Sequence, residues 1–172
     1  MNKIKIAING YGRIGRNLFR LLLNHPHIEV VDINDIAVVK TMAHLTKYDS
    51  IHGVLPNKVW FTEEAIRKKK KSFLFFHEKE ISNLNWGKLN IDIVIECTGK
   101  FKTFEDLNKH IVTGAKKVLL SAPSEVDSIK TIVLGVNEHL LDGSEKIVSN
   151  ASCTTNNAAP MMQVINELCG IE

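Results

Sequence analysis

The sequence is poor in cysteine: Cys97, Cys153 and Cys169 are the only three in 172 residues. They form no C-x-x-C pair and show no metal-ligand spacing, which argues against a disulfide framework or a cysteine-held metal and fits a reduced, cytoplasmic setting. No run approaches the roughly 18 consecutive apolar residues that a membrane helix needs. The N-terminus enters "KIKIAIN" directly, without the apolar core and cleavage site of a secretory signal. A net charge of +3 is too slight to point to a nucleic-acid partner. The one basic run, Arg67 to Lys71, is flanked by Glu63, Glu64, Glu78 and Glu80 and reads as a solvated hairpin or loop. There is no internal repeat, and no low-complexity segment beyond that run.

What is present is an ordinary globular composition, 44% apolar and 24% charged, in a chain long enough to bury most of a core. "KIKIAIN" (3–9) reads as a strand and is followed at once by "GYGRIG" (10–15). From Arg13 the apolar spacing turns helical through Ile14, Leu18, Leu21 and Leu22, until Asn24, His25 and Pro26 break it. "IEVVDIN" (28–34) is the next strand, closed by Asp35. Further on, "IDIVIE" (91–96) reads as a buried strand and "FEDLNKHIVTGA" (104–115) as a helix with a glycine near its end. "KVLLSAP" (117–123), "TIVLGV" (131–136) and "KIVSN" (146–150) are three more strand candidates. Between residues 57 and 77, "KVWFT" and "SFLFF" suggest an inserted hairpin. Such alternation predicts an α/β domain with a mainly parallel sheet and helices on both faces.

Gly10, Gly12 and Gly15 form G-x-G-x-x-G between a predicted strand and a predicted helix, with Asp35 twenty residues beyond Gly15. In that context the pattern points to a dinucleotide. Gly10 allows a tight turn, Gly12 lets the backbone approach a pyrophosphate, and Gly15 lets helix and strand pack closely. The helix N-terminus offers free N–H groups and a partial positive charge to the phosphates. Asp35 can accept hydrogen bonds from both hydroxyls of an adenosine ribose and would repel a 2′-phosphate, which favours NAD over NADP.

Near the other end, "SNASCTTNN" (149–157) surrounds Cys153 with hydroxyl and amide side chains. Met161, Met162, Val164, Ile165 and Leu168 then recur at helical spacing, so the thiol sits near a helix N-terminus, where thiolate is favoured. Pro160 leaves the course of the first turns open. On the residues alone two readings stand for Cys153, a buried structural thiol and a nucleophile. Cys97 and Cys169 fit the buried structural role better.

Taken together, "INGYGRIGR" and "SNASCTTN" closely resemble the glyceraldehyde-3-phosphate dehydrogenase family. "VVDIND", "HLTKYDSIHG", "IECTGKF", "GAKKVLLSAPS" and "LGVNEHLLD" extend the resemblance over the whole chain. It implies a Rossmann-type, doubly wound NAD-binding domain over residues 1–150, with residues 151–172 opening the catalytic domain. It also implies oxidative phosphorylation of glyceraldehyde 3-phosphate to 1,3-bisphosphoglycerate, a glycolytic step, in a homotetramer that uses NAD and inorganic phosphate and no metal. By the same resemblance Arg13 and Ile14 lie against the pyrophosphate, Asp35 holds the adenosine ribose, and Lys79 borders the adenine. Thr98, Gly99 and Ser121 line the nicotinamide side. Cys153 matches the nucleophile that passes through a thioester, with Ser152 and Thr154 beside the substrate. Asn157 stands where the family often has a second cysteine, a change that touches nothing catalytic. The family's histidine base and further phosphate-binding residues belong to a downstream segment. None of the seven histidines here matches that base by motif, so the expectation is a cofactor-binding portion with little activity of its own. Erythrose-4-phosphate dehydrogenase shares both motifs and remains an alternative, as does a non-catalytic NAD-binding fragment.

Overall fold

The computed structural model describes residues 3–56, 60–62, 65–68 and 71–171. Strand β1 (Ile4–Asn9) leads into helix α1 (Arg13–Leu22), then β2 (Ile28–Asn34) and α2 (Val39–Lys47). A small antiparallel pair follows, β3 (Tyr48–Asp49) with β4 (Gly53–Val54). Next come β5 (Trp60–Phe61), β6 (Ala65–Lys68) and β7 (Lys71–Phe76), and then β8 (Ile93–Glu96) and α3 (Phe104–Val112). Strand β9 (Lys117–Leu120), β10 (Ile147–Ser149) and α4 (Cys153–Cys169) complete the chain.

Among the described residues the main sheet has eight strands in the order β10-β9-β8-β1-β2-β7-β6-β5. The six from β10 to β7 run parallel, and β6 and β5 are added antiparallel at the edge. The order reverses around β1: the chain builds outward to β2 on one side and later to β8 on the other. In open α/β sheets a crevice forms at that switch point, beyond the C-terminal strand ends.

Burial follows the alternation of the strands. Ile6, Ile8, Val30 and Ile33 face one side, where Phe19 of α1 and Val39 and Met42 of α2 cover them. Ala7 and Val94 face the other, beneath Trp86 and Ile91. Leu107 of α3 caps a third cluster with Val118, Leu120 and Ile147. Thr103 caps α3 by accepting the Asp106 N–H, and Glu105 and Asp106 in the first turn suit the helix dipole.

Several expectations are corrected. "TIVLGV" forms no strand: only Thr131 bridges to Ser149, and the segment then turns. Asn137 causes the departure, because its amide donates to the Thr131 carbonyl and its oxygen accepts the Val133 N–H. Gly135, at φ +84°, completes the turn in the left-handed region. Helix α2 escaped the sequence reading, although Val39, Met42, Ala43 and Thr46, all buried, recur at helical spacing. The inserted hairpin is β6–β7, with β5 alongside; residues 57–59 of "KVWFT" lie outside the described residues. So do Lys69 and Lys70 of the basic run, whose flanks Arg67–Lys68 and Lys71 end β6 and begin β7. Cys169, expected to be buried, is exposed near the end of α4, a helix with no buried residue.

Candidate functional site

The glycine turn joins the C-terminal end of β1 to α1. Gly10 has φ +92°, and a Cβ there would lie 2.5 Å from the Thr98 nitrogen. At Gly15 a Cβ would lie 2.2 Å from the Gly10 carbonyl oxygen, so helix and turn touch through backbone. Gly12 is different, since a Cβ would meet nothing within 4 Å. It stands as the N-cap of α1, with no side-chain cap and no acidic residue in the first turn. The first amides of α1 therefore keep their donors available to a ligand.

Asp35 follows β2 and reaches back to this turn. Its Oδ2 accepts the Tyr11 N–H at 2.6 Å, and its Oδ1 accepts the Ala37 N–H at 2.8 Å. Each carboxylate oxygen keeps a free lone pair. Asp35 thus anchors the glycine turn as well as standing beside it, a role that residue spacing alone did not show.

These groups share a cavity of about 390 Å³, lined by Gly10, Gly12, Asp35, Lys79 and Thr98 among the expected residues. Asn9, Asn34, Ile36, Glu78, Glu80, Cys97, Lys100 and Phe101 complete the wall and were not expected. A signal for two of these positions was present: "IAIN" and "VDIN" are apolar strands that each end in an amide, as "VIE" ends in Glu96, which lies outside the wall. Register then brings these ends side by side, Asn9 against Asn34 and against Glu96.

Arg13, Ile14, Gly15, Gly99 and Ser121 do not line this cavity. Arg13 lines a smaller one of about 190 Å³ with Arg16, Asn17 and the 48–52 turn. Ile14 is exposed, and Gly99 is exposed with φ +70°. Ser121 follows β9 and receives support from the Glu96 carbonyl, which accepts its N–H. Thr98 therefore groups with Asp35, while Ser121 belongs to the neighbouring strand end.

Cys153 sits beyond the next strand, β10. The Asn150 N–H donates to the Leu120 carbonyl, tying the turn before the thiol to the end of β9. Ala151 is buried at φ +59°, an unusual conformation for a residue with a Cβ. The Ser149 hydroxyl accepts the Ala151 N–H and donates to the Ala122 carbonyl, which holds the turn. Ser152 then caps α4, its Oγ accepting the Thr155 N–H at 3.0 Å and meeting the Thr154 and Thr155 hydroxyls. The Asn156 amide donates to both the Asn150 and Ser152 carbonyls. Cys153 is thus the first residue of α4 and its thiol is exposed. The helix runs on through Pro160.

The other thiols differ. Cys97 is largely buried beside Ser121, and desolvation pushes its pKa up to about 11. Among the described residues no hydrogen bond joins a histidine to Cys153. His52 bonds Asp49, His77 the Asp35 carbonyl, and His110 pairs with Glu96 in the interior. No group of three or more potential ligands that could hold a metal occurs among the described residues.

Residues 4–104 match the family described as "Glyceraldehyde 3-phosphate dehydrogenase, NAD binding domain". The chain is 47% identical over 168 residues to glyceraldehyde-3-phosphate dehydrogenase of Mycoplasma pneumoniae, covering 98% of this chain and 50% of that protein. With the Geobacillus stearothermophilus protein of the same name, identity is 47% over 169 residues, with 98% and 50% covered. Glyceraldehyde-3-phosphate dehydrogenase 2 of Streptomyces avermitilis is 50% identical over 170 residues, again 98% and 50%. The chain spans about half the length of these curated relatives.

Proposed function

Because this chain belongs to the glyceraldehyde-3-phosphate dehydrogenase family, we propose that it supplies the NAD site and the nucleophile of a phosphorylating aldehyde oxidation. The substrate is glyceraldehyde 3-phosphate, inorganic phosphate is the second reactant, and the product is 1,3-bisphosphoglycerate. Residues 1–150 form the cofactor domain and 151–172 open the catalytic one, in a cytoplasmic homotetramer.

The observation that carries the cofactor half is the 390 Å³ cavity, where the uncapped start of α1, open space at Gly12 and the Asp35 carboxylate converge. The phosphates of NAD fit against the α1 amides, with Arg13 and Ile14 contributing backbone there and Gly15 allowing the close packing. Asp35 uses its remaining lone pairs on the ribose hydroxyls, and Lys79 stands at the adenine end. Gly99 and Ser121 belong toward the nicotinamide, with Thr98 bridging from the cavity wall. When bound, NAD supplies the acceptor for the hydride.

The catalytic half rests on Cys153. Its exposed thiol adds to the aldehyde carbon, and the thioester that follows oxidation is cleaved by phosphate. Splitting one difficult displacement into two is the gain from covalent catalysis. Free N–H groups in the first turn of α4 suit the developing oxyanion. Ser152 and Thr154 offer hydroxyls for the substrate. The general base is assigned to a histidine outside residues 1–172.

Calorimetric titration of residues 1–172 with NAD and NADP tests the cofactor reading. We expect NAD to bind and NADP to bind at least about tenfold more weakly, as a 2′-phosphate beside Asp35 meets like charge. Equal or tighter binding of NADP overturns the role given to Asp35.

A further inference from the structure

Beneath the floor of the cavity lies a buried polar chain that neither the glycine turn nor the thiol accounts for. Glu96, at the end of β8, is wholly buried. Its carboxylate accepts from four donors: the Asn9 amide, the Thr98 N–H at 2.7 Å, the Thr98 hydroxyl, and the His110 ring at 3.1 Å. A buried carboxylate held this fully has one orientation, and removing a donor leaves desolvated charge uncompensated.

The far end of the chain determines the near one. Trp86 and His110 are both wholly buried. The Trp86 indole N–H can only donate, and it reaches His110 Nδ1 at 3.0 Å. Nδ1 is therefore the acceptor, and the ring proton sits on Nε2, facing Glu96. From Glu96 the chain runs outward through Asn9, whose oxygen accepts from the Asn34 amide at 2.7 Å. Asn34 in turn grips the Glu78 backbone from both sides, donating to its carbonyl and accepting its N–H, each at 2.9 Å. Asn9, Asn34, Glu78 and Thr98 all line the cavity; Trp86, His110 and Glu96 do not.

We propose that His110 and Trp86 are positioning residues of the dinucleotide site, acting through Glu96 to hold Asn9, Thr98 and the Glu78 backbone in their binding geometry. The proposal rests on the NAD reading of the cavity. Trp86 selects the tautomer, the His110 Nε2–H donates a hydrogen bond to Glu96, and Glu96 sets the floor.

The test uses residues 1–172 in wild-type form and as His110→Leu, His110→Gln and Trp86→Phe, each titrated with NAD well below its melting midpoint. His110→Leu is expected to weaken binding about tenfold. His110→Gln, which keeps a donor toward Glu96 and an acceptor toward Trp86, recovers most of that loss, and Trp86→Phe falls between. In a Trp60→Phe background, Trp86 emission is expected to shift on titration with the calorimetric midpoint, although Trp86 does not line the cavity. Lower melting temperatures with wild-type NAD affinity in every folded variant overturn the proposal and leave a purely structural network. If His110→Leu does not fold, unchanged affinity in Trp86→Phe, together with unmoved Trp86 emission in the separate Trp60→Phe protein, has the same force. Failure of the wild-type chain to bind NAD overturns the cofactor reading itself, and this proposal with it.

Discussion

At the scale of single residues, the three thiols separate by environment. Cys97 is sheltered, with a pKa pushed up to about 11 by burial, whereas Cys153 and Cys169 are exposed at opposite ends of α4. The helix dipole favours an anion at the N-terminal end and opposes one at the C-terminal end. Brief iodoacetamide treatment followed by peptide mass spectrometry is expected to label Cys153 first, Cys169 more slowly and Cys97 last. Labelling of Cys97 ahead of Cys153 contradicts these placements. The nucleophile candidate was legible from its hydroxyl-rich neighbours. The exposure of Cys169 was not, because helical spacing of apolar residues marks a face without saying what covers it.

At the scale of elements, α4 stands apart from the sheet. It has no buried residue, and Met161, Met162, Val164, Ile165 and Leu168 are all exposed. Helices in proteins draw most of their stability from packing of one face, and α4 buries no residue and carries Pro160 within it, so its N-cap carries unusual weight. Replacing Ser152 with alanine removes the acceptor of the Thr155 N–H and is expected to cost the helix about 1 kcal/mol. Amide exchange reads this directly: faster exchange over residues 155–158 in Ser152→Ala, with Ile6, Val94 and Leu119 unaffected. Wild-type protection across 161–168 equal to that of the central strands, in a dilute monomeric sample, overturns the view of α4 as a loosely held element.

At the scale of the whole molecule, stability should depend on pH through a residue with no part in the cavity. Asp32 lies wholly buried in β2, between Ala7 and Leu74 on the flanking strands, and neither carboxylate oxygen has a hydrogen-bond partner in the structure. Desolvation pushes its pKa from 3.8 up to about 8. A pKa raised in the folded state contributes stability that is complete below the unfolded value and is lost as pH climbs through the folded one. The loss therefore spans roughly pH 4 to 8. Asp49 and Glu145 act in the opposite sense. Their pKa values are lowered to about 2, for Asp49 chiefly by the His52 and Ile51 N–H groups and for Glu145 chiefly by Lys130, so their contribution fades in acid. Asp32→Val, a strand-forming apolar replacement, is expected to raise the melting temperature at pH 8 by several degrees, the gain shrinking toward pH 5. Thermal melts across that range decide the point, and a gain independent of pH counts against an ionised Asp32 as the cause.

Local pattern alone determined the βαβ opening, the glycine turn with its acid, and the thiol at a helix start, because each depends on residues adjacent in sequence or at a fixed helical or strand period. Tertiary structure decided the rest. Asn9, Asn34 and Glu96 form one network only because parallel register aligns the ends of β1, β2 and β8, which are far apart along the chain. "TIVLGV" is apolar enough for a strand, yet after the Ile132 N–H donates to the Ser149 carbonyl of β10 its pairing stops, because Asn137 takes the Thr131 carbonyl and the Val133 N–H. Thr98 shares a cavity with Asp35 while Ser121 stands at the next strand end, a division that sheet order imposes and that no short window of sequence contains. Periodicity reports which face a side chain occupies. Which side chains then meet depends on pairing between distant strands, and that is settled only when the sheet closes.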